Sequence, residues 1–436
     1  MTLSAATPDA ARAEIQDLSD RLPAEWTTGP ATLSGQVIHR AVDGSWLELK
    51  VQSHAGTFLY QGTLLGIEPG ESIRPASRSV PPKATAARAI EWEAIKSGPT
   101  EPLLWLEGEI VRSPAATAEC VGRFAFSGTT VTLRFRVLES YPAGSDPAPT
   151  FRDVSYGSHV RQKMDVYLAK SSGPSPVVLY IHGGSWRGGD KSGVMGRHVF
   201  LDQGISLIAI NYRYIPAENP SATVPAVAIP LKDAARALQF IRAHASEWGL
   251  DKERISIWGR SAGACTGLWL ATHADLAEPA SPDPVSREST RPWCVAALIP
   301  QTSLDPVQMR EWVGPQLSYG PHAFAIPAPA DTATESRFDA FVAARERLRP
   351  WIAEYSPAAM LRRDTPAIFM DFLQLSLTPS EPLEAYYTHS PGFGVGFLAR
   401  ARSMGAECYL RYDGHEDSHF PDWQQFLIAK LKIAHP

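Results

Sequence analysis

The strongest constraint on the fold is a serine between two glycines, at the junction of a strand pattern and a helix pattern. The stretch over residues 254–270 reads RISIWGRSAGACTGLWL. Its first residues alternate β-branched and polar side chains, as strands do, whereas residues 262–270 are small and apolar and lack proline. A turn this sharp forces its central residue into strained backbone angles, and glycines on both sides relieve the crowding. We therefore expect Ser261 to present its hydroxyl at the edge of a sheet.

A second glycine motif lies upstream of the serine. The apolar run VVLYI over residues 177–181 predicts a buried parallel strand, and it ends in HGGSW over residues 182–186. Two successive glycines let backbone amides approach a substrate oxygen, so we predict that the amides of Gly183, Gly184 and Ala262 hold the charge of a tetrahedral intermediate. A glycine-rich turn and a helix-capping serine are the structural alternative. The occurrence of both motifs, each after a strand, favours catalysis.

With these motifs the chain resembles the α/β-hydrolase fold, in the carboxylesterase and lipase branch that includes hormone-sensitive-lipase-like and feruloyl or acetyl-xylan esterase-like enzymes. The resemblance extends from about residue 151 to the C-terminus. Three further stretches look like that branch, and we expect structural roles for them: NYRY over 211–214, the helix from Pro230 that carries Asp233, and WGLD over 248–251.

A serine nucleophile needs a histidine base and a carboxylate that orients the base. The resemblance implies the chain order serine, acid, histidine, with the histidine in the loop after the last strand. That loop reads DGHEDSHF over residues 413–420 and contains two histidines. We prefer His415, because it follows the strand end closely, and keep His419 as the alternative.

The expected acid is where the sequence departs from such esterases. Their loop after the penultimate strand contains GxxD followed by valine and proline, but here residues 370–379 read MDFLQLSLTP. The candidates are Asp371 at the strand end, then Asp305 after the preceding strand, then Glu381 beyond Pro379. The departure leaves open a degraded triad.

The length of 436 residues indicates more than one domain. We expect residues 1–24 to form an N-terminal arm. Residues 25–140 alternate apolar and polar side chains, which predicts an antiparallel β module, a small sandwich or barrel, with a helix around 86–96. Residues 141–150 are rich in proline and small residues and predict a linker. In residues 151–436 strand and helix patterns alternate, which predicts a mostly parallel sheet with helices on both faces. Within this part, we expect residues 302–364 to form a lid insertion.

Aromatic residues in two regions have open interpretations. In the β module, Trp26, Trp46, Trp92 and Trp105 form either a core or a sugar-binding platform. In the lid, the aromatic side chains either line a substrate pocket or pack against one another in a helix pair.

Composition excludes several classes of function. A net charge of −5 and a pI near 6.2 leave no basic surface for nucleic acid. No run of eighteen apolar residues predicts a membrane span. No signal peptide is visible, which slightly favours a cytoplasmic protein, or a secreted one if a leader was removed. The four cysteines are widely spaced and predict free buried thiols rather than disulfides or metal ligands.

These patterns together predict a serine hydrolase that cleaves carboxylic esters without a metal or an organic cofactor. The expected substrate is a small-molecule or carbohydrate ester, including acetyl or feruloyl groups on a polysaccharide. A serine peptidase of the same fold is the enzymatic alternative, and a non-catalytic binding protein on a hydrolase scaffold is the alternative from another class. The oligomeric state, the acyl group and the alcohol are not indicated.

Overall fold

The chain divides into two compact units, Met1–Asp146 and Pro147–Pro436. The structure is a computed structural model that describes six strands of the first unit and, in the second, residues 147–327, 336–373, 387–415 and 419–432. The helix expected around residues 86–96, Trp26 and Trp92 lie outside the described residues.

The first unit contains a closed antiparallel sheet. Its strands are β1 (Gly29–Arg40), β2 (Trp46–Ser53), β3 (Gly56–Pro69), β4 (Leu103–Arg112), β5 (Glu119–Phe126) and β6 (Thr129–Pro142). Their spatial order is β1-β2-β3-β6-β5-β4, and β4 pairs back with β1. Alternating side chains suit strands of this kind, which have two different faces. Trp46 lies on β2 and Trp105 on β4, and a sugar-binding role for them stays a prediction.

The second unit is built on an eight-stranded sheet. Its strands are β7 (Phe151–Ser155), β8 (Lys163–Tyr167), β9 (Ser175–Ile181), β10 (Ser206–Ile210), β11 (Leu250–Arg260), β12 (Cys294–Leu298), β13 (Ala367–Asp371) and β14 (Cys408–Arg411). The order is β14-β13-β12-β11-β9-β10-β8-β7, with β7 and β8 antiparallel and the other strands parallel to one another. This order, with an opening hairpin followed by parallel strands, confirms the α/β-hydrolase fold.

Helices cover both faces of this sheet. They are α1 (Arg197–Leu201), α2 (Ala228–Ala243), α3 (Ala245–Trp248), α4 (Ala262–Thr272), α5 (Pro306–Val313), α6 (Arg337–Ala343), α7 (Arg345–Tyr355), α8 (Gly392–Met404) and α9 (Trp423–Lys432). On one face Trp423 of α9 stacks on Trp258 of β11, with ring centroids 4.5 Å apart. On the other face α4 lies against Ile257, so closely that a Cβ on Gly267 would be 2.9 Å from Ile257 Cγ2. Adjacent residues of β11 thus serve opposite layers, as the alternation of strand side chains requires.

The sheet is hydrophobic on both faces, which explains the continuous apolar strands. All of Ile255, Ile257, Val177, Val178 and Leu179 are completely buried. Each such side chain contributes on the order of 1.5–3 kcal/mol of burial free energy. This core fixes the edge of the sheet from which the functional loops emerge. Among the described helices, none combines the length and the apolarity needed to cross a membrane.

The segment after β12, expected to be a lid, contains α5, α6 and α7 and the short 3-10 helices Pro321–Phe324 and Pro357–Met360. Phe341 lies between Phe324 and Phe338, with ring centroids 5.8 Å from each, and all three are buried. Trp312 of α5 packs on α8, where a Cβ on Gly396 would be 2.2 Å from its ring. These aromatic side chains therefore pack against one another and against α8, and a pocket-lining role for the other aromatic side chains of the segment stays a prediction.

Candidate active site

Ser261 stands at the turn between β11 and α4, with φ 48° and ψ −120°, outside the regions that non-glycine residues ordinarily adopt. Its amide donates to the carbonyl oxygen of Leu298 at 2.9 Å. A Cβ on Gly263 would lie 2.1 Å from the carbonyl oxygen of Ile181, and one on Gly259 would lie 2.5 Å from the carbonyl of Gly263. The glycines therefore let the helix begin directly against the sheet, and this packing maintains a conformation that costs on the order of 1–3 kcal/mol.

The imidazole that reaches the serine belongs to His389. Its Nε2 lies 2.9 Å from Ser261 Oγ. Both residues are buried, with exposed fractions of 1% for Ser261 and 4% for His389. A nucleophile and a base at this separation can share a hydrogen bond. When Nε2 is unprotonated, the hydroxyl donates to it, and the ring can accept the proton as the oxygen attacks.

The loop after β12 holds the segment that carries His389. Gln301 Nε2 donates to the carbonyl oxygen of Thr388 at 2.7 Å, and Thr302 Oγ1 donates to the carbonyl oxygen of Phe393 at 2.8 Å. Gln301 and Thr302 are completely buried. Two hydrogen bonds from the residues that follow β12 therefore hold the chain on either side of His389. They fix the backbone of His389 just before α8 begins.

The HGGSW motif forms a tight turn after β9. Gly184 has φ 103°, and its carbonyl oxygen accepts from the amides of Arg187 at 2.7 Å and Gly188 at 2.9 Å. Among the backbone hydrogen bonds of the described residues, none is donated by the amides of Gly183, Gly184 or Ala262. Amides at a glycine turn and in the first turn of a helix are suited to a negative oxygen.

A hydrogen-bonded chain joins this turn to the serine helix. Trp186 Nε1 donates to Thr266 Oγ1 at 3.0 Å, and Thr266 Oγ1 donates to the carbonyl oxygen of Ala262 at 2.8 Å. Trp186 is completely buried. The tryptophan of the motif therefore fixes the distance between the two groups of predicted oxyanion donors.

The NYRY stretch supports the same turn from behind. Tyr212 Oη donates to the carbonyl oxygens of His182 at 2.9 Å and Gly183 at 3.1 Å, and its ring stacks on His182. Arg213 forms an ion pair with Asp233 of α2 at 2.6 Å. These contacts support the structural roles expected for the stretch and for Asp233.

The structure does not bring the two expected histidines to the serine. His415 is exposed, and its ring stacks on Tyr412 with centroids 5.0 Å apart. His419 is also exposed. Neither makes a described contact with Ser261. The choice of His415, with His419 as its alternative, is therefore corrected to His389, because the loop after β13 rather than the loop after β14 reaches the nucleophile.

The acid candidates have other partners. Asp371 is buried and accepts from Arg411 at 2.5 Å; burial raises its pKa, an effect that Arg411 opposes. Asp305 caps the N-terminus of α5 and pairs with Arg345 at 2.7 Å. Glu381 lies outside the described residues. Asp371 does not contact His415, so their expected pairing is also corrected, and an orienting acid stays a prediction.

The position of His389 in the sequence is consistent with this role. His389 lies in the loop after β13, directly before the residues Ser390, Pro391 and Gly392 that lead into α8. Because the carboxyl ends of parallel strands meet at one edge of a sheet, this loop also reaches the site.

No group of three or more histidine, cysteine, aspartate or glutamate side chains in the described residues is arranged to hold a metal ion. Cys265 and Cys294 are buried free thiols. Burial raises the pKa of Cys294 to about 12. Burial also raises the pKa of Cys265, so these two buried thiols lack the thiolate character that catalysis would require.

Comparison with known proteins identifies the family that part of the chain resembles. Residues 164–313, about a third of the chain, match the BD-FAE family. A probable isoprenylcysteine alpha-carbonyl methylesterase of Arabidopsis thaliana is 33% identical over 143 residues, which are 32% of this chain and 28% of that protein. The probable carboxylic ester hydrolase LipM of Mycobacterium tuberculosis is 36% identical over 118 residues, 26% of each chain. These matches confirm the resemblance to α/β-hydrolase carboxylesterases.

A solved structure, a truncated form of a carbohydrate esterase from gut microbiota, superposes with a TM-score of 0.48 at 16% identity. It covers 67% of this chain and 99% of that one. The chain spans less than a third of the length of the two curated relatives above.

Proposed function

We propose that this chain, whose second unit has the α/β-hydrolase fold, is a serine hydrolase that cleaves carboxylic esters through an acyl-enzyme intermediate. The observation that carries the proposal is the 2.9 Å separation between Ser261 Oγ and His389 Nε2 at a strained strand-to-helix turn. The match of residues 164–313 to the BD-FAE family and the names of the relatives support the ester class.

In the first half of the reaction, Ser261 Oγ attacks the ester carbonyl carbon while His389 Nε2 takes the hydroxyl proton. The carbonyl electron pair moves to the oxygen, and the amides of Gly183, Gly184 and Ala262 donate to this oxyanion. Removal of one such donor typically costs about 3 kcal/mol of barrier. As the intermediate collapses, the alcohol leaves with the proton from His389, and Ser261 remains acylated.

In the second half of the reaction, a water molecule attacks the acyl-enzyme through the same kind of steps. His389 takes a proton from the water, the hydroxide attacks the acyl carbon, and the same amides hold the second oxyanion. Collapse releases the carboxylic acid and returns the proton to Ser261. The residues that hold the loops, Trp186 on one side and Gln301 on the other, act by positioning the groups that react.

For the ester itself, we propose acetyl or feruloyl groups on carbohydrates, on the resemblance of the two glycine motifs to acetyl-xylan and feruloyl esterases. The full chain should be assayed on p-nitrophenyl acetate, methyl ferulate and acetylated xylan. Acetate release from xylan would support the carbohydrate substrate. Turnover of the aryl ester alone would contradict it and leave the general esterase proposal intact.

A fluorophosphonate probe tests the general proposal. Stoichiometric labelling of Ser261, with loss of p-nitrophenyl acetate hydrolysis, is expected for an esterase. No labelling and no turnover would favour the binding-protein alternative. Cleavage of peptide p-nitroanilides faster than of matched esters would favour the peptidase.

A further inference from the structure

A buried histidine lies against the predicted oxyanion loop and has no role in the proposed reaction. His322, in the 3-10 helix Pro321–Phe324, has its ring centroid 6.0 Å from that of Trp186 and 4.6 Å from that of Tyr319. Its exposed fraction is 6%. Its Nε2 is buried and has no hydrogen-bond partner among the described residues. A buried polar atom of this kind costs free energy unless something satisfies it.

Two arginines belong to segments that lie next to the 3-10 helix of this histidine. Arg187 directly follows Trp186 in the chain, and Arg337 begins α6, where its Nε donates to the carbonyl oxygen of Ile326 at 2.7 Å. Both are partly buried. Burial and the charges of Arg187 and Arg337 lower the pKa of His322 to about 3, so its ring is neutral at ordinary pH. Burial first and then Arg337 lower the pKa of Arg187.

Neither arginine is neutralised by a carboxylate within the described part of the chain. Other arginines of this unit differ in this respect. Arg345 pairs with Asp305 at 2.7 Å, and Arg310, on the neighbouring α5, pairs with Asp339 at 2.8 Å. In the described part of the chain these two partly buried cations have no carboxylate partner, and each charge disfavours the other. A bound anion would relieve this repulsion.

We propose that Arg187, Arg337 and the neutral His322 form a subsite for a carboxylate carried by the ester substrate. Arginine guanidinium groups bind carboxylates through paired hydrogen bonds, and His322 Nε2 can contribute a third. The cluster adjoins the HGGSW turn through Trp186, so a carboxylate held there belongs to the same molecule whose carbonyl oxygen meets the oxyanion amides. This subsite rests on the proposed esterase function but not on the acetyl or feruloyl carbohydrate substrate, because those acyl groups carry no free carboxylate. It selects instead monoesters of dicarboxylic acids or esters of hydroxy acids.

Matched substrate pairs test the subsite. With the carboxylate on the acyl side, 4-nitrophenyl hydrogen succinate is compared with 4-nitrophenyl butyrate, and on the alcohol side 4-acetoxybenzoate is compared with 4-acetoxybenzamide. We expect the full chain to have the higher kcat/KM for the anionic member of at least one pair. Arg187→Gln and Arg337→Gln should each reduce that preference about ten- to hundredfold, as loss of charged hydrogen bonds does.

Arg347→Gln is the matched control, because Arg347 is an exposed arginine of the neighbouring α7. It should leave the preference unchanged. The preference of the full chain should fall as salt is raised, since ionic strength screens partly exposed charges. No preference in either pair, or a preference that the Arg187 and Arg337 variants retain, would overturn the subsite.

A binding measurement separates this result from failure of the esterase proposal. In Ser261→Ala, which cannot form an acyl-enzyme, calorimetry should detect monoethyl succinate more tightly bound than ethyl succinamate, and Arg337→Gln should remove the difference. Equal binding of both esters, and likewise of 4-acetoxybenzoate and 4-acetoxybenzamide, would reject the subsite even in an active esterase. If the unaltered chain hydrolysed none of the substrates, the esterase proposal would be rejected. The difference in binding between the two esters would still decide whether the subsite exists.

Discussion

The two sides of the candidate site differ in how their parts are held. On the nucleophile side, Ser261 and the HGGSW turn follow adjacent strands and are fixed by glycine contacts and by the Trp186–Thr266 hydrogen bond. On the base side, His389 lies far along the chain from the end of β13 and depends on Gln301 and Thr302, which follow a different strand. The nucleophile side is determined locally, and the base side is determined by tertiary contacts.

This difference explains which residues of the candidate site can be recognised from the sequence. A glycine pair around a serine is required by backbone sterics within a few residues, so it is visible as a motif. A histidine on a long loop needs only to lie near the serine in the folded protein, and no short sequence motif is required for this. Several loops of a parallel sheet satisfy that condition.

The largest effect is expected on the nucleophile side. Ser261→Ala should reduce kcat/KM for p-nitrophenyl acetate by about four to six orders of magnitude, because no acyl-enzyme can form. Circular dichroism should show an unchanged fold, since alanine removes a single oxygen. Undiminished turnover by the purified variant would end the serine-hydrolase account.

The next effect separates the histidines on the base side. His389→Ala should approach the loss seen for Ser261→Ala, and the double variant should be scarcely worse than either, because the two groups act as a unit. His415→Ala is the matched control and should retain activity within about twofold, since surface substitutions have small effects. Collapse of activity in His415→Ala with survival of His389→Ala would reverse the assignment.

Gln301→Met tests how the base is positioned. The variant removes the bond to the Thr388 carbonyl oxygen and fills a similar volume, so His389 loses part of its support. We expect kcat to fall about tenfold with little change in KM, in line with the loss of one buried hydrogen bond. A Gln301→Glu variant retains an oxygen but not the donor and should resemble Gln301→Met. Equal rises in KM and no change in kcat would indicate a role in substrate binding instead.

Trp186→Phe tests the corresponding link on the nucleophile side. Phenylalanine keeps an aromatic ring but cannot donate to Thr266, so the turn is less firmly tied to α4. We expect a decrease in kcat of about fivefold, corresponding to about 1 kcal/mol. Kinetics with a neutral ester provide the measurement. A loss as large as that of Ser261→Ala would mean that the turn itself had unfolded.

The smallest effect on catalysis is expected at Asp371. Its contacts to Arg411 join the ends of β13 and β14, so Asp371→Asn should lower the thermal midpoint more than it lowers kcat. We expect a change in kcat of about twofold or less, in contrast to the loss expected of an acid that orients the base, about 10⁴-fold. A loss of that size in a folded Asp371→Asn variant would restore Asp371 as the acid of the triad.

Much of the second unit could be predicted from sequence, because its information is local. Continuous apolar runs specify strands buried on both faces, and the strand expected over residues 177–181 lies within β9, Ser175–Ile181. The turn at Ser261 could be predicted from the two glycines on either side of it. The position of His389 could not be predicted in the same way, since it depends on Gln301 and Thr302, which are distant in sequence. The acid was uncertain for a related reason, because carboxylates such as the buried Asp371 and the partly buried Asp305 serve equally well as partners of arginine.

The most direct test of the Ser261–His389 pair is the rate at which a fluorophosphonate labels the full chain, with the modified residue identified by peptide mass spectrometry. Labelling reports the reactivity of the serine and needs no knowledge of the natural ester. We predict a single adduct on Ser261, whose formation is slowed by at least about 10³-fold in His389→Ala and is unchanged in His415→Ala. An adduct on another residue, or equal labelling rates in the unaltered chain and His389→Ala, would contradict this prediction.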